Sequence, residues 1–204
     1  MPLRLEQCEE IGFIENDGPH GCFGADIEAL TGVPQDKVND ALQAAHLYNP
    51  EHGVQIVGAE LLNRALGRLG ISFIEVLPHF DPFSEDKTAL DESPVAVYKR
   101  LEILEHELQK SDIEGVVLAY PCRRAPDQDP FTHFVAIASV EGEIGDKTFI
   151  YMDPSELRKP DGDRIGGVFA ASETEMLDML TPEPESSQEL FSVYPVCAYA
   201  ISTR

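Results

Sequence analysis

Residues 133–153, HFVAIASVEGEIGDKTFIYMD, decide the fold class. Two apolar runs, 133–139 and 148–152, are short and rich in β-branched and aromatic residues, which favour strands. The segment between them carries Gly142, Gly145 and Asp146, residues that are typical of turns. The stretch therefore predicts a β-hairpin, and the apolar run at 115–120 predicts another strand before it.

The first part of the chain shows helical periodicity. Phe23, Ile27 and Leu30 recur at i, i+4 and i+7, which predicts a helix over 22–31 that ends before Gly32 and Pro34. Comparable patterns predict the remaining elements: helices over 35–47, 57–69, 95–109 and 172–180, strands over 72–77 and 192–201, and loops over 79–94, around Gly166 and Gly167, and over 181–189. We expect an α+β fold with N-terminal helices packed on a C-terminal antiparallel sheet, in a single domain of residues 1–204.

Charge limits the kinds of partner. The 204 residues include 37 acidic and 15 basic side chains, and the formal net charge is −22. A protein this acidic is not expected to bind nucleic acid, since a phosphate backbone requires a basic surface. No apolar run is long enough to cross a membrane, and no membrane partner is expected.

The N-terminus and the cysteines suggest a compartment. The chain begins without the basic and apolar segments of a secretory signal. Its four cysteines, Cys8, Cys22, Cys122 and Cys197, form no CxxC pair, and no Cys/His group has the spacing of a metal site. We expect reduced thiols, no metal, and a cytoplasmic location or export as an effector without a cleaved signal.

Three residues could act together in nucleophilic catalysis. Cys22 begins a predicted helix, where the positive end of the helix dipole stabilises a thiolate. His133 begins one strand of the predicted hairpin, and Asp153 follows the other. Antiparallel pairing brings the start of the first strand beside the end of the second, so His133 and Asp153 are expected to meet. A thiol, an imidazole and a group that orients the imidazole are the components of a cysteine-dependent acyl-transfer site.

The order of these segments resembles a known family. Gly21-Cys22 at a helix start, a strand beginning at His133-Phe134, and Asp153-Pro154 are similar to the pattern of papain-like cysteine peptidases, above all the bacteriocin-processing peptidase domains of exporters. The segment 53–70 adds a weaker resemblance to Josephin-type deubiquitinases, and the whole likeness covers about residues 16–155. It implies a papain-like fold, no cofactor, and hydrolysis of a peptide, isopeptide or side-chain amide bond in a protein or peptide substrate.

The chain departs from the family pattern at several positions. The Gln that helps to form the oxyanion hole in these families, a few residues before the nucleophile, is missing, and Asn16 is the best-placed substitute. Phe134 stands where the Josephin pattern has Trp after its histidine. Asp153 stands in the third position, as the exporter pattern allows, where the Josephin pattern has Asn.

Two alternatives stay open. Cys122 is a rival nucleophile because Arg123 and Arg124 follow it and would stabilise a thiolate, although it follows a strand and begins no helix. In a different functional class, the chain could be a catalytically inactive papain-like binding module whose acidic surface docks a basic protein partner. The sequence indicates neither the substrate nor the oligomeric state.

Overall fold

The computed structural model of the chain describes residues 3–5, 8–9, 11–15, 21–49, 53–55, 57–77, 93–122, 131–143, 145–155, 166–181, 183–184, 193–194 and 196–203. In chain order the elements are β1 (Leu3–Leu5), α1 (Cys22–Thr31), α2 (Gln35–Ala44), β2 (Tyr48–Asn49), β3 (Gly53–Val54), α3 (Ala59–Leu66), a 3-10 turn (Gly67–Leu69), β4 (Ile71–Leu77), α4 (Pro94–Leu108), β5 (Gly115–Cys122), β6 (Phe131–Glu141), β7 (Thr148–Asp153), β8 (Gly167–Ser172), α5 (Glu173–Met179), β9 (Glu183–Pro184), β10 (Val193–Tyr194) and β11 (Cys197–Thr203).

A seven-stranded sheet organises the molecule. Its strands follow the order β1-β8-β7-β6-β5-β11-β4, and every neighbouring pair is antiparallel. The strands β6 and β7 form the hairpin that the sequence predicts, and their register pairs Ala136 with Met152. This pairing confirms the expected hairpin and brings the start of β6 to the end of β7.

Helices cover both faces of the sheet. Phe23 and Ile27 of α1 share a buried core with Val38 and Leu42 of α2, residues of α3, and one face of the central strands. On the other face, apolar residues of α4 and α5 pack against alternate positions of the same strands. Because side chains alternate between the two faces of a strand, central strands that are covered on both faces are apolar at nearly every position.

The α3 helix is held to the edge of the sheet by backbone-directed hydrogen bonds. The Asn63 amide donates to the carbonyl of Phe73 at 2.9 Å and accepts from the Phe73 backbone N–H at 2.8 Å. The Tyr199 hydroxyl on β11 donates to the carbonyl of Val57, just before α3, at 2.7 Å. These contacts satisfy polar backbone groups and fix the helix against the strand beside it.

The α+β class is confirmed, whereas the expected arrangement is only partly right. The edge strands β1 and β4 come from the first part of the chain, so the sheet is not purely C-terminal, and helices lie on both of its faces. The strand β8 occupies Gly167–Ser172, where Gly166 and Gly167 suggested a loop. The final strand begins at Cys197. Of the predicted loop over 79–94, residues 79–92 lie outside the described residues.

No helix within the described ranges is long and apolar enough to pass through a bilayer.

Candidate active site

Cys22 is the first residue of α1, as the sequence predicts. Gly21 precedes it as the N-cap, and the helix ends at Gly32, whose φ of 71° is a conformation that glycine adopts without strain. The backbone N–H groups in the first turn of a helix have no partner within the helix, so the N–H of Cys22 has no acceptor within α1. Cys22 is partly exposed, whereas Phe23 and Ile27 are buried.

An aromatic contact places the start of α1 beside the start of β6. The ring of Phe23 meets the ring of Phe134 edge-to-face, with centroids 5.2 Å apart, and stacks on Phe73 at 6.2 Å. Edge-to-face aromatic pairs of this kind are favourable beyond the area that they bury. Phe23 follows Cys22 and Phe134 follows His133, so this contact places the start of α1 next to the part of β6 that carries the imidazole.

His133 and Asp153 form a hydrogen-bonded pair at the end of the hairpin. The imidazole Nε2 lies 2.9 Å from Oδ1 of Asp153, and both side chains are largely buried. The ring of Tyr120, the cross-strand partner of His133 on β5, packs edge-on against the imidazole with centroids 5.8 Å apart. The Cys22 thiol is also a hydrogen-bond partner of the imidazole. Because Asp153 takes Nε2, Nδ1 is the ring nitrogen left for the thiol.

The protonation of His133 reflects this environment. Burial alone would lower the pKa of the imidazole, since it disfavours the charged form. Hydrogen bonds to Asp153 and Cys22, together with the negative charges of those groups, act in the opposite direction and prevail. The pKa of His133 is therefore raised well above its ordinary value, which favours the charged form of the imidazole.

The turn that carries Asp153 is held from two sides. Its Oδ1 also accepts a hydrogen bond from the Ser155 backbone N–H at 2.9 Å, which fixes the carboxylate within its own turn. Gly166 packs against this turn so closely that a Cβ there would lie 2.8 Å from the Asp153 carbonyl oxygen and 2.9 Å from the Ser155 nitrogen. On the far side, the Arg4 guanidinium donates to the Gly166 carbonyl at 2.9 Å.

We expect Gly166→Ala to disturb the His133–Asp153 pair. The added methyl group meets backbone atoms that cannot rotate away, so the turn must shift, and such overpacking lowers the free energy of unfolding by about 1–3 kcal/mol. Thermal unfolding and the NMR signal of the imidazole N–H proton measure the two effects. Gly67→Ala is the matched control, because a Cβ at Gly67 has no atom within 4 Å. Equal stability and an unchanged imidazole signal in both variants would contradict this account.

A second carboxyl group lies beside these residues. Asp26 is one helical turn after Cys22 on α1, and it is completely buried. Among the described residues, neither of its oxygens has a hydrogen-bond partner of ordinary geometry, although the backbone N–H of Ala136 is close enough to lower the pKa somewhat. Burial raises the pKa of Asp26 well above its usual range, and the charges of Cys22 and Asp153 raise it further, while His133 opposes them.

The structure brings Cys22, His133 and Asp153 together. Asn16 lies outside the described residues, and so does the side chain of Cys122, whose backbone ends β5. Sequence reasoning missed Asp26, although a signal was present. It stands four residues after Cys22, between Ala25 and Ile27, so it falls on the buried side of a helix where a charged residue is unusual.

Comparison with known proteins gives no family for this chain, since no protein-family model and no curated protein matches it. The chemistry is therefore argued from the residues and their geometry.

Proposed function

We propose that the protein is a cysteine-dependent hydrolase or acyl-transfer enzyme of the papain-like class. Cys22 is its nucleophile, His133 its general base, and Asp153 the group that orients the imidazole. The observation that carries the proposal is the continuous contact from the thiol through the imidazole to the carboxylate. The two ends of the chain supply β1 and β11 to one sheet, which supports a single catalytic domain of residues 1–204.

Activation of the nucleophile follows from the contacts of the imidazole. The thiol proton passes from Cys22 to Nδ1 of His133, which leaves a thiolate and an imidazolium. Asp153 stabilises the imidazolium through Nε2 and holds the ring in orientation. The thiolate sulfur then attacks the carbonyl carbon of the substrate, and the electron pair of the C=O bond moves to oxygen.

The resulting oxyanion needs hydrogen-bond donors. The backbone N–H of Cys22 is one donor, because it lies in the first turn of α1 and has no acceptor within the helix. We propose the side-chain amide of Asn16 as the second donor, in place of the Gln of related families. When the tetrahedral intermediate collapses, His133 gives its proton to the leaving amine and a thioester remains on Cys22.

Deacylation completes the cycle with the same residues. The neutral His133 takes a proton from water, the hydroxide attacks the thioester, and the Cys22 sulfur leaves as the thiolate. An amine in place of water would give acyl transfer instead. The same steps can cleave peptide, isopeptide and side-chain amide bonds, so the shape of the substrate groove determines which bond is cleaved. The proposed substrate is a protein or peptide.

A substrate panel tests this function. Fluorogenic peptide amides, isopeptide-linked peptides and glutamine-containing peptides report the three bond types by fluorescence and by ammonia release. We expect turnover of at least one type, and we expect alkylation of Cys22 to stop it. Turnover that survives complete alkylation of Cys22 would contradict the proposed nucleophile, and a Cys22 that reacts no faster than an ordinary thiol would favour the inactive binding module.

A further inference from the structure

Asp26 has an environment that the proposed cycle does not explain. It contributes no hydrogen bond to Cys22 or to His133, and among the described residues its two buried oxygens have no hydrogen-bond partner of ordinary geometry beyond the approach of the Ala136 N–H. A carboxyl group in this state destabilises the folded protein relative to an apolar side chain of similar size. Buried acids with strongly perturbed pKa values cluster at functional sites, and the site beside Asp26 is the one built from Cys22, His133 and Asp153.

The charged groups that face Asp26 define what it can do. The titratable groups of the described residues that act on its carboxyl are Cys22 on its own helix, His133 on β6 and Asp153 on β7. The elements α2, β5 and β11 also pack on α1, and none of their described titratable groups is among the main causes that shift the pKa of this carboxyl. Among the described groups that shift the pKa of Asp26, His133 is therefore the one cation, and Cys22 and Asp153 are anions or become anions.

We propose that Asp26 is a positioning residue that acts through His133: its buried carboxyl, which lies one helical turn after Cys22 on a helix without a basic residue, helps to hold the proton on the imidazole. This role rests on the proposed function. Among the described groups that act on Asp26, the imidazolium of His133 is the cation that can stabilise the negative charge of its buried carboxylate. Asp26 and His133 therefore titrate as a coupled pair. In the neutral form Asp26 adds no negative charge near the Cys22 thiolate. In the ionised form it extends the range of pH over which His133 can protonate a leaving group.

The expected consequence is a change at one end of the pH range only. Below the pH at which Asp26 ionises, Asp26→Asn has the same charge and nearly the same shape as the wild type, so the acid side of the profile stays unchanged. Above that pH the variant lacks the second carboxylate, and the pKa of His133 should be lower than in the wild type, as expected for loss of a neighbouring opposite charge.

The decisive experiment is an NMR titration of the His133 ring in three full-length proteins: the wild type, Asp26→Asn and Asp40→Asn. Asp40 is exposed on α2 and serves as the matched control. We expect a lower midpoint for His133 in Asp26→Asn and the wild-type midpoint in Asp40→Asn. Equal midpoints in all three proteins would overturn the proposal. The titration needs no substrate, so its failure is distinguishable from failure of the proposed function.

A stability measurement provides a second, independent readout. Because the pKa of Asp26 is raised, the folded protein keeps a proton that the unfolded chain releases above about pH 4. The wild type therefore loses stability relative to Asp26→Asn as the pH rises from there towards the pKa of the folded state. We expect the unfolding temperature of Asp26→Asn minus that of the wild type to increase over this range. A constant gap at every pH would show that Asp26 is already ionised when folded and would overturn its role as a neutral acid.

Discussion

Cys22→Ala is expected to abolish turnover, and His133→Ala is expected to reduce kcat/KM by roughly 10⁴-fold. The first substitution removes the sulfur that bonds to the carbonyl carbon, and the second removes the group that takes the thiol proton and later protonates the leaving amine. Residues that act as one unit are strongly non-additive, so the double variant should be little worse than Cys22→Ala alone.

Matched controls separate loss of chemistry from loss of structure. Cys8→Ala removes a different, partly exposed thiol, and His106→Ala removes an exposed imidazole on α4. Both should keep the activity of the wild type, and circular dichroism should show all four single variants folded. If folded His133→Ala turned over substrate at a rate near that of the wild type, the assignment of the base would be wrong.

Asp153 is expected to show a graded effect. In Asp153→Asn the amide oxygen can still accept a hydrogen bond from Nε2 of His133, so we expect about a tenfold loss in kcat/KM, or about 1.4 kcal/mol in the barrier. Asp153→Ala leaves nothing to orient the ring, and the loss should reach about 100-fold. Kinetics of the two variants on one substrate measure the difference, and equal losses would contradict an orienting role for the hydrogen bond.

The Asp153→Asn variant also has a pH signature. Asp153 helps to raise the pKa of His133, and a group whose folded pKa is raised contributes stability below its unfolded pKa. This contribution disappears as the pH rises through the folded pKa. We therefore expect Asp153→Asn to be less stable than the wild type near neutral pH, with a difference that shrinks at alkaline pH. Unfolding temperatures measured across this range test the sign.

Local patterns in the sequence predicted the parts of the fold and the site that depend on neighbouring residues. The helix α1 has the predicted bounds because its apolar spacing and the glycine after it are both local signals. The meeting of His133 with Asp153 follows from the antiparallel pairing of two adjacent strands. Both inferences need only a short stretch of chain.

Features that depend on distant contacts were not predictable in this way. The position of Cys22 depends on the packing of Phe23 against Phe134, more than a hundred residues away in sequence. The strand β8 was missed because Gly166 and Gly167 indicate a turn locally, whereas their lack of side chains allows close packing against Asp153 and Arg4. Asp26 was missed because the periodicity of α1 marks its buried face without showing what lies opposite.

The pairing of Cys22 with His133 is tested most directly by the rate at which iodoacetamide alkylates each thiol at about pH 6, where an ordinary cysteine is protonated. Peptide mapping of the wild type and of His133→Ala gives the rate at Cys8, Cys22, Cys122 and Cys197 separately. We predict that Cys22 reacts first in the wild type and that His133→Ala slows it until it resembles an ordinary thiol. Faster labelling of Cys122 or Cys8, or an equal rate at Cys22 in both proteins, would contradict the proposed site.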